Sequence, residues 1–243
     1  MKFENTDVCG FEHALRGMRN PKESWERSDS HWGESTLTES ENGACSYHQF
    51  QIGEKDLALA QRLIKAGPEH RKFMRQIIVW VDITAPLYWW KEFDTYKVGT
   101  VANSTSTMHK LATTPITMDC FEMDDIAPLA HVDSQTTVRM AMQHVVDICE
   151  SLRLKFLAAN DKTYWKELIR ILPESWLQKR TVMMSYENLL SMCGKGQRRF
   201  HKLNEWSGRD GAGNENFITW ARSLPHAQDL IFLDELEKEE NKA

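Results

Sequence analysis

The strongest pattern in the chain is an apolar stripe whose members alternate at spacings of four and three residues. This spacing is typical of one face of an α-helix, and it predicts a helix from Asp133 or Ser134 to about Ala158. The stripe indicates packing, either inside the core or between subunits. Its members are Val138, Met142, Val145, Cys149, Leu152 and Phe156.

Local start and stop signals predict four shorter helices. Gly67-Pro68 ends the first, Pro86 lies in the first turn of the second, and Ser185 caps the fourth, which Gly194 ends. The predicted helices span residues 54–66, 87–96, 161–171 and 185–193.

Two segments that are dense in β-branched residues, 76–83 and 178–184, are predicted as strands. Helices therefore alternate with a few strands, and we expect a single mixed α/β domain over residues 1–243. Residues 1–53 are polar and rich in turn-forming residues, so we expect an irregular N-terminal region. Residues 234–243 are expected to form an acidic tail.

Composition is typical of a folded protein, because 41% of the residues are hydrophobic and 27% are charged. A formal net charge of −5 argues against a duplex-DNA binder, which normally carries a basic domain, and small molecules are the expected partners. No apolar run reaches the about 20 residues of a membrane helix, and the first residues lack the apolar block of a signal peptide. We therefore expect a cytoplasmic protein.

The five cysteines are scattered and form no Cys-x-x-Cys pair, so the sequence predicts neither a disulfide framework nor a metal site. Nine tryptophans indicate flat apolar surfaces, which belong either to the core or to a site for a planar ligand. Composition alone does not choose between the two.

Arginine and tryptophan are densest near the N-terminus. Such side chains can clamp a phosphate and stack on a ring, and the alternative is surface arginines beside half-buried tryptophans. The segment contains Arg16, Arg19, Trp25, Arg27, Ser28, Ser30, His31 and Trp32.

Two further runs concentrate cations. Residues 69–75 form either a solvated turn or a cradle for a phosphorylated ligand. Residues 194–202 lack the glycine spacing and the Ser or Thr of a P-loop, and with one aromatic residue they are a weak signal for nucleic acid. Between these runs, residues 100–110 offer many hydroxyl groups, as loops that wrap phosphate oxygens often do.

Short motifs occur in a fixed order between residues 55 and 206. The first is Glu69-His70-x-x-Phe73, which is followed by a predicted strand and by Ala85-Pro86. The second is Thr95-Tyr96-Lys97, with Thr105 after it.

A third motif lies in the last third of the chain, where Leu172-Pro173 and a strand precede Ser185-Tyr186-Glu187, and Arg198 and His201 follow. In this order and spacing the motifs resemble the flavin-dependent thymidylate synthase family, and more closely its divergent phage-type branch. Thr95-Tyr96-Lys97 stands in the place of the family's Arg-His-Arg.

The resemblance implies a thymidylate synthase-complementing-protein-like fold, with helices around a small twisted sheet, in a homotetramer that binds FAD at subunit junctions. It also implies methyl transfer to C5 of dUMP in dTMP biosynthesis, with methylenetetrahydrofolate as carbon donor and NADPH as the reductant of the flavin. Such chemistry needs no cysteine nucleophile, which suits the scattered cysteines.

The resemblance also implies roles for single residues. Arg198 is expected to be catalytic and to stabilise the uracil ring as it loses its N3 proton. The residues expected to contact FAD are His70, Thr95, Tyr96, Lys97 and His201. The residues expected to contact the pyrimidine nucleotide are Glu92, Asn103, Thr105 and Ser106.

Departures from the family pattern support a rival interpretation. Each charge-assisted hydrogen bond lost with the Arg-His-Arg triplet removes about 1.5–3 kcal/mol. Glu187 stands where the family has an arginine, and its carboxylate would repel a phosphate. The rival is a catalytically inactive or re-purposed nucleotide-binding protein of the same fold. The cations that are candidates to compensate are Arg71, Lys72, Arg75 and Lys110.

Overall fold

The computed structural model describes the backbone of residues 1–33, 36–40, 43–47, 50–96, 98–106, 111–123, 130–194, 198–209 and 214–235, with side chains outside 36–47. The strands are β1 (Lys2–Cys9), β2 (His31–Trp32), β3 (Thr36–Ser40), β4 (Gly43–Tyr47), β5 (Phe50–Gln51), β6 (Ile78–Pro86), β7 (Val101–Ser104) and β8 (Leu177–Ser185). The α-helices are α1 (Phe11–Arg19), α2 (Glu54–Ala66), α3 (Leu87–Phe93), α4 (Val138–Ala159), α5 (Lys162–Ile171), α6 (Tyr186–Cys193), α7 (Asn204–Ser207), α8 (Phe217–Arg222) and α9 (Ala227–Leu230).

The main sheet has the strand order β1-β6-β8-β7, and all of its neighbours are antiparallel. Its two central strands are those that the sequence predicts. β6 begins at Ile78 because the preceding residues, Lys72–Gln76, form a 3₁₀ turn. Alternate side chains of β6, such as Val79, Val81 and Ile83, are buried, so one face of the sheet packs on the core. The mixed α/β prediction is confirmed.

An aromatic cluster forms the centre of the main core. Trp89 and Trp90 of α3 are buried, and the Trp89 ring lies 4.6 Å from that of Trp206, between centroids. Phe217 packs edge-on against Trp206 at 5.0 Å. Much of the tryptophan excess therefore belongs to the core, because large flat rings bury much apolar surface.

The prediction of an irregular N-terminal region is wrong. β1 pairs with β6 along the edge of the sheet, and Phe3 stacks on Trp220 at 5.0 Å. α1 buries an apolar stripe with helical spacing, made of Phe11, Ala14, Leu15 and Met18. The edge position explains why β1 is so polar, because most of its side chains face solvent.

The long helix is confirmed, but it begins at Val138 and not at Asp133 or Ser134. Asp133 accepts hydrogen bonds from the N–H groups of Gln135 and Thr136, both at 2.8 Å, which forms a separate turn. Thr137 then caps the helix, since its hydroxyl accepts the Met140 N–H at 3.2 Å. The middle of the stripe packs inward: Cys149 is buried in a second cluster that also contains Leu168 of α5.

The shorter helices follow their sequence signals closely. α2 has the predicted bounds and α5 starts one residue after its cap, Asp161. α6 begins with a capping box formed by Ser185 and Asn188. α3 ends at Phe93, and a 3₁₀ turn, Asp94–Tyr96, continues it. Among the helices in the described ranges, none has the length and apolar character needed to span a bilayer.

Candidate functional site

Arg198 lies at the centre of a cluster built from two distant parts of the chain, residues 92–96 and 198–206. Its Nε donates a hydrogen bond to the Tyr96 hydroxyl at 3.0 Å, and its Nη1 lies 3.0 Å from Oε2 of Glu92. The guanidinium stands 5.2 Å from the centroid of the Tyr96 ring and 4.8 Å from that of Trp206. Glu92, Tyr96, Arg198 and Trp206, with His201, are called the Arg198 cluster below.

His201 joins the cluster through its ring, which lies 6.2 Å from that of Trp206. Its Nδ1 accepts the N–H of Leu203 at 3.1 Å. Burial lowers the pKa of the imidazole, and the neighbouring Arg198 guanidinium lowers it further. His201 is therefore neutral near pH 7, with its proton on Nε2, which makes that atom a hydrogen-bond donor.

The turn that carries Arg198 is anchored by ion pairs of the next residue. Nη2 of Arg199 lies 2.7 Å from Oδ2 of Asp234, and Nη1 of the same residue contacts Glu235. Nη2 of Arg222 donates to Glu235 at 2.8 Å. Asp234 and Glu235 are thus folded against the core, which corrects the prediction of an acidic tail that starts at 234; residues 236–243 lie outside the described ranges. Because both acids pair with Arg199, the charge of this residue is not available to a ligand of the predicted basic run 194–202.

The ion pairs of Glu235 predict that the free energy of unfolding falls at acid pH. Hydrogen bonds from Arg222 and then from Arg199 hold the pKa of the Glu235 carboxyl at about 2, below its ordinary value near 4.5. A carboxyl group with a lowered pKa in the folded state stabilises the protein above its ordinary pKa and loses that effect as the pH falls to 2. We expect Glu235→Gln to lower the free energy of unfolding by about 2–3 kcal/mol at pH 7, with the deficit shrinking below pH 4.5. Urea titrations of both proteins between pH 7 and pH 2.5 measure it, and a deficit independent of pH would contradict the assignment.

Tyr96 also lines a cleft of about 670 Å³, called the Tyr96 cleft. Thr95, whose hydroxyl donates to the carbonyl oxygen of Glu92 at 2.7 Å, lies on the same wall. Arg75 and Glu187 face the cleft as well. The volume falls within the range of about 300–1,000 Å³ that is usual for small-molecule sites.

The charge of Glu187 does not act as the sequence predicts. Nε of Arg71 lies 3.0 Å from each carboxylate oxygen of Glu187, so this carboxylate is paired and repels an anion only weakly. Arg75 has no carboxylate within 4 Å among the described residues. Among the four candidate cations, Arg75 is the one that faces the Tyr96 cleft without such a partner. Arg71 is engaged by Glu187, Lys72 pairs with Glu69 outside the cleft, and Lys110 lies outside the described residues.

Thr105 and Ser106 lie elsewhere, at the end of β7. They line a cleft of about 1060 Å³, called the Thr105 cleft, together with Lys2, Arg139 and Lys179. The Thr105 N–H donates to the carbonyl oxygen of Lys179 at 2.9 Å, which fixes the start of the loop. Glu4, Asp119 and Glu122 line the same cleft, and Lys179 pairs with Glu4 at 2.6 Å. Lys2 and Arg139 are therefore the cations of this cleft that suit a phosphate.

Three predicted site residues remain outside these groups. His70 is exposed in the turn after α2, and its N–H donates to Gly67 at 3.0 Å. Asn103 pairs with Thr181 along the exposed edge strand β7, and it does not line either cleft. Lys97 lies outside the described residues.

Sequence reasoning missed Trp206 as a member of the site. The residue follows His201 by five positions and begins no motif, and only the fold brings its ring under Arg198. The pairing of Arg71 with Glu187 was also missed, because the two residues are separated by 116 positions.

The fold belongs to a class with a small antiparallel sheet covered by helices on one face. No family model matches the chain, and no curated protein matches it. Among solved structures, the chain is similar to flavin-dependent thymidylate synthase ThyX from Helicobacter pylori complexed with FAD and dUMP, with a TM-score of 0.60 and 18% identity over 96% of this chain and 99% of that chain.

A second structure of ThyX from Helicobacter pylori, also with FAD and dUMP, gives a TM-score of 0.61 at 17% identity, covering 96% of this chain and 98% of that one. The chain therefore has the fold of the flavin-dependent thymidylate synthases over nearly its whole length. At this identity the likeness establishes the fold, and the activity must be argued from the residues.

Proposed function

We propose that the chain is an FAD-dependent enzyme that transfers a methyl group to C5 of dUMP, with methylenetetrahydrofolate as carbon donor and NADPH as reductant. The observation that carries the proposal is the Arg198 cluster. It contains Glu92, Tyr96, Arg198 and His201, and the resemblance implies that each of them contacts substrate or flavin. Tyr96 and Arg198 are 102 positions apart in the sequence, so only the fold brings them together.

Arg198 is suited to bind a planar ring that becomes negatively charged. Its side chain is only 13% exposed, so its charge is poorly screened by water. Nε and Nη1 are engaged by Tyr96 and Glu92, and Nη2 has no partner among the described residues. The guanidinium is thus held in one orientation, with donors left for the uracil ring as it loses its N3 proton.

The Tyr96 cleft fits part of a flavin nucleotide. Arg75 supplies a cation for a phosphate, and Thr95 and Tyr96 supply hydroxyl groups along the wall, whereas the amide of Asn188 is engaged by Ser185 and Val98. Bound FAD would supply, once reduced, the hydride that the methyl transfer needs. His201, neutral and with a proton on Nε2, would donate a hydrogen bond at the other side of the Arg198 cluster.

The Thr105 cleft is our candidate for the phosphate end of dUMP. Lys2 and Arg139 have no carboxylate within 4 Å among the described residues, whereas Lys179 is paired with Glu4 at 2.6 Å. Thr105 and Ser106 follow an edge strand, which a neighbouring subunit can approach. We include a homotetramer in the proposal, in which clefts of adjacent subunits together form each complete site.

One contact favours the rival function, a nucleotide-binding protein without catalysis. Glu92 places a carboxylate 3.0 Å from Arg198 and neutralises much of its charge. A ligand that needs the full charge of Arg198 must displace Glu92 first. The rival keeps nucleotide binding and predicts no turnover.

The visible absorbance spectrum of the purified protein tests the proposal. We expect a flavin spectrum at about one FAD per chain after incubation with FAD. Arg75→Ala should weaken FAD binding about tenfold, since it removes a charge-assisted hydrogen bond. The control is Arg27→Ala, which replaces an exposed arginine outside the cleft and should bind FAD normally. A colourless protein that does not take up added FAD would contradict the proposal.

A further inference from the structure

A smaller cleft, of about 180 Å³, lies between α1 and the loop that leads to β2. Its walls include Arg16, Trp25, His31 and Trp32, which come from the arginine- and tryptophan-rich segment. We call it the tryptophan cleft. Trp25 is 38% exposed and Trp32 is 53% exposed, so two large apolar rings are open to solvent beside one concave surface.

Both indole rings are held in place by their N–H groups. Nε1 of Trp25 donates to Oδ1 of Asn20 at 2.8 Å, and Nε1 of Trp32 donates to Oε2 of Glu12 at 3.1 Å. Trp32 also packs edge-on against Phe50 at 5.3 Å. Since the polar atoms are engaged, the rings offer a ligand only their apolar faces, which suits a planar partner.

A buried ion pair fixes the floor of the cleft. Arg19 and Asp56 lie 2.5 Å apart at 5% and 0% exposure, and Ser28 and Ser30 donate to the other carboxylate oxygen at 2.5 and 2.6 Å. These residues are therefore structural, which corrects the prediction that Arg19, Ser28 and Ser30 clamp a phosphate. Their network makes the loop rigid, and a rigid site loses little entropy when it binds.

Arg16 remains available for an anion. Its guanidinium stands 5.5 Å from the centroid of the Trp25 ring, and no carboxylate lies within 4 Å of it among the described residues. Glu12, the carboxylate of the cleft, is engaged by Trp32. A ligand with a flat ring and one anionic group therefore meets a matching surface.

The tryptophan cleft is separate from the Tyr96 cleft. The two clefts share no lining residue, and at about 100° per residue Arg16 and Glu12 lie about 100° and 140° around α1 from Gly17, which faces the side chain of Gln76. Arg75, the neighbour of Gln76, lines the Tyr96 cleft. The two clefts therefore lie on different sides of this helix.

We propose that the tryptophan cleft binds a nucleobase that carries a phosphate, with the base on the tryptophan faces and the phosphate on Arg16. A volume of about 180 Å³ lies below the about 300–1,000 Å³ that enclose a whole ligand, so the cleft takes one nucleobase and not a whole nucleotide. A free nucleotide and the end of a single-stranded nucleic acid share this chemistry. The site is additional to the proposed enzymatic one.

Fluorine NMR of protein labelled with 5-fluorotryptophan tests the proposal, with dAMP and the oligonucleotide (dA)8 as probes. Trp25→Phe and Trp32→Phe assign the two resonances. We expect dAMP to shift both resonances in a saturable way and to leave that of Trp80, which is 39% exposed on β6, unchanged. Tighter binding of (dA)8 than of dAMP would identify a nucleic-acid strand as the source, and equal binding a free nucleotide.

Matched variants separate stacking from charge. Trp32→Ala should weaken dAMP binding about 5- to 100-fold, and Trp80→Ala should not change it. Arg16→Gln should weaken dAMP about tenfold and deoxyadenosine hardly at all, and Arg27→Gln should affect neither. Trp32→Phe, which keeps an aromatic ring, should retain most of the affinity and guards against a folding defect of the alanine variant.

The result that overturns the proposal is the absence of shifts at Trp25 and Trp32 with both probes at millimolar concentration. Unchanged affinity of Trp32→Ala would overturn it equally. The measurement is repeated in Arg198→Ala, where the shifts should persist. Loss of enzymatic activity therefore does not affect the test of the tryptophan cleft, and absence of binding at this cleft does not affect the test of the enzymatic function.

Discussion

Replacing Arg198 by alanine lowers the rate of C5-hydrogen release from labelled dUMP by about 10²- to 10³-fold, because it removes the donor that stabilises the developing charge on the ring. The guanidinium is nearly buried, so the lost interaction is strong. The remaining cluster, Tyr96 and Trp206, keeps its rings but has no cation. We expect the fall in kcat to exceed any rise in KM for dUMP.

Two further variants show whether the loss of rate comes from the planar guanidinium of Arg198. Arg198→Lys keeps the charge but not the planar fork, so we expect it to recover only a small part of the rate. Arg27→Ala, whose side chain is 76% exposed beside Glu26, should keep the full rate. Full activity of Arg198→Ala would show that the catalytic assignment is wrong, whatever the fold.

Replacing Asp56 by alanine destabilises the protein by about 3–5 kcal/mol, because the Arg19 guanidinium is left buried without its partner. Asp56 is inaccessible to solvent and accepts hydrogen bonds from Arg19, Ser28 and Ser30. Two hydroxyl donors thus lose their acceptor together with the charge. Urea denaturation followed by circular dichroism measures the change in the free energy of unfolding.

An exposed ion pair provides the control for this experiment. Arg27 and Glu26 lie 3.6 Å apart with exposed fractions of 76% and 69%, and such pairs contribute about 0–1 kcal/mol. Glu26→Ala should therefore have a small effect. If Asp56→Ala were equally mild, the loop from 20 to 33 would not depend on the buried pair, and the rigid floor of the tryptophan cleft would lose its basis.

The elements that the sequence predicts well are those with local signals. Gly67 ends α2 and Ser185 caps α6 through contacts made within a few residues, so the pattern and the structure agree. β1 lacks such a signal because an edge strand exposes most of its side chains, and its pairing partners in β6 lie 69 (Cys9 and Ile78) to 82 (Lys2 and Thr84) positions away. The sequence pattern favours a helix from Asp133 or Ser134, but Asp133 forms a separate turn before α4.

In the site, too, sequence motifs predict single residues but not the contacts between residues that are distant in the sequence. Motif order points to Tyr96, Arg198 and His201, and the structure places them together. The partners of the charges were beyond prediction, since Glu92 meets Arg198 and Glu187 meets Arg71 only through the packing of distant elements. These pairings decide the electrostatics of both neighbouring surfaces.

The most direct test of the central claim is the product formed from dUMP. The purified protein is supplied with FAD, NADPH, methylenetetrahydrofolate and dUMP, and the nucleotides are separated and identified by mass spectrometry. We expect dTMP that forms with time, depends on each added component and is lost in Arg198→Ala. Binding of FAD and dUMP with no dTMP formed would contradict the assignment as a methyl-transferring enzyme and support the non-catalytic rival.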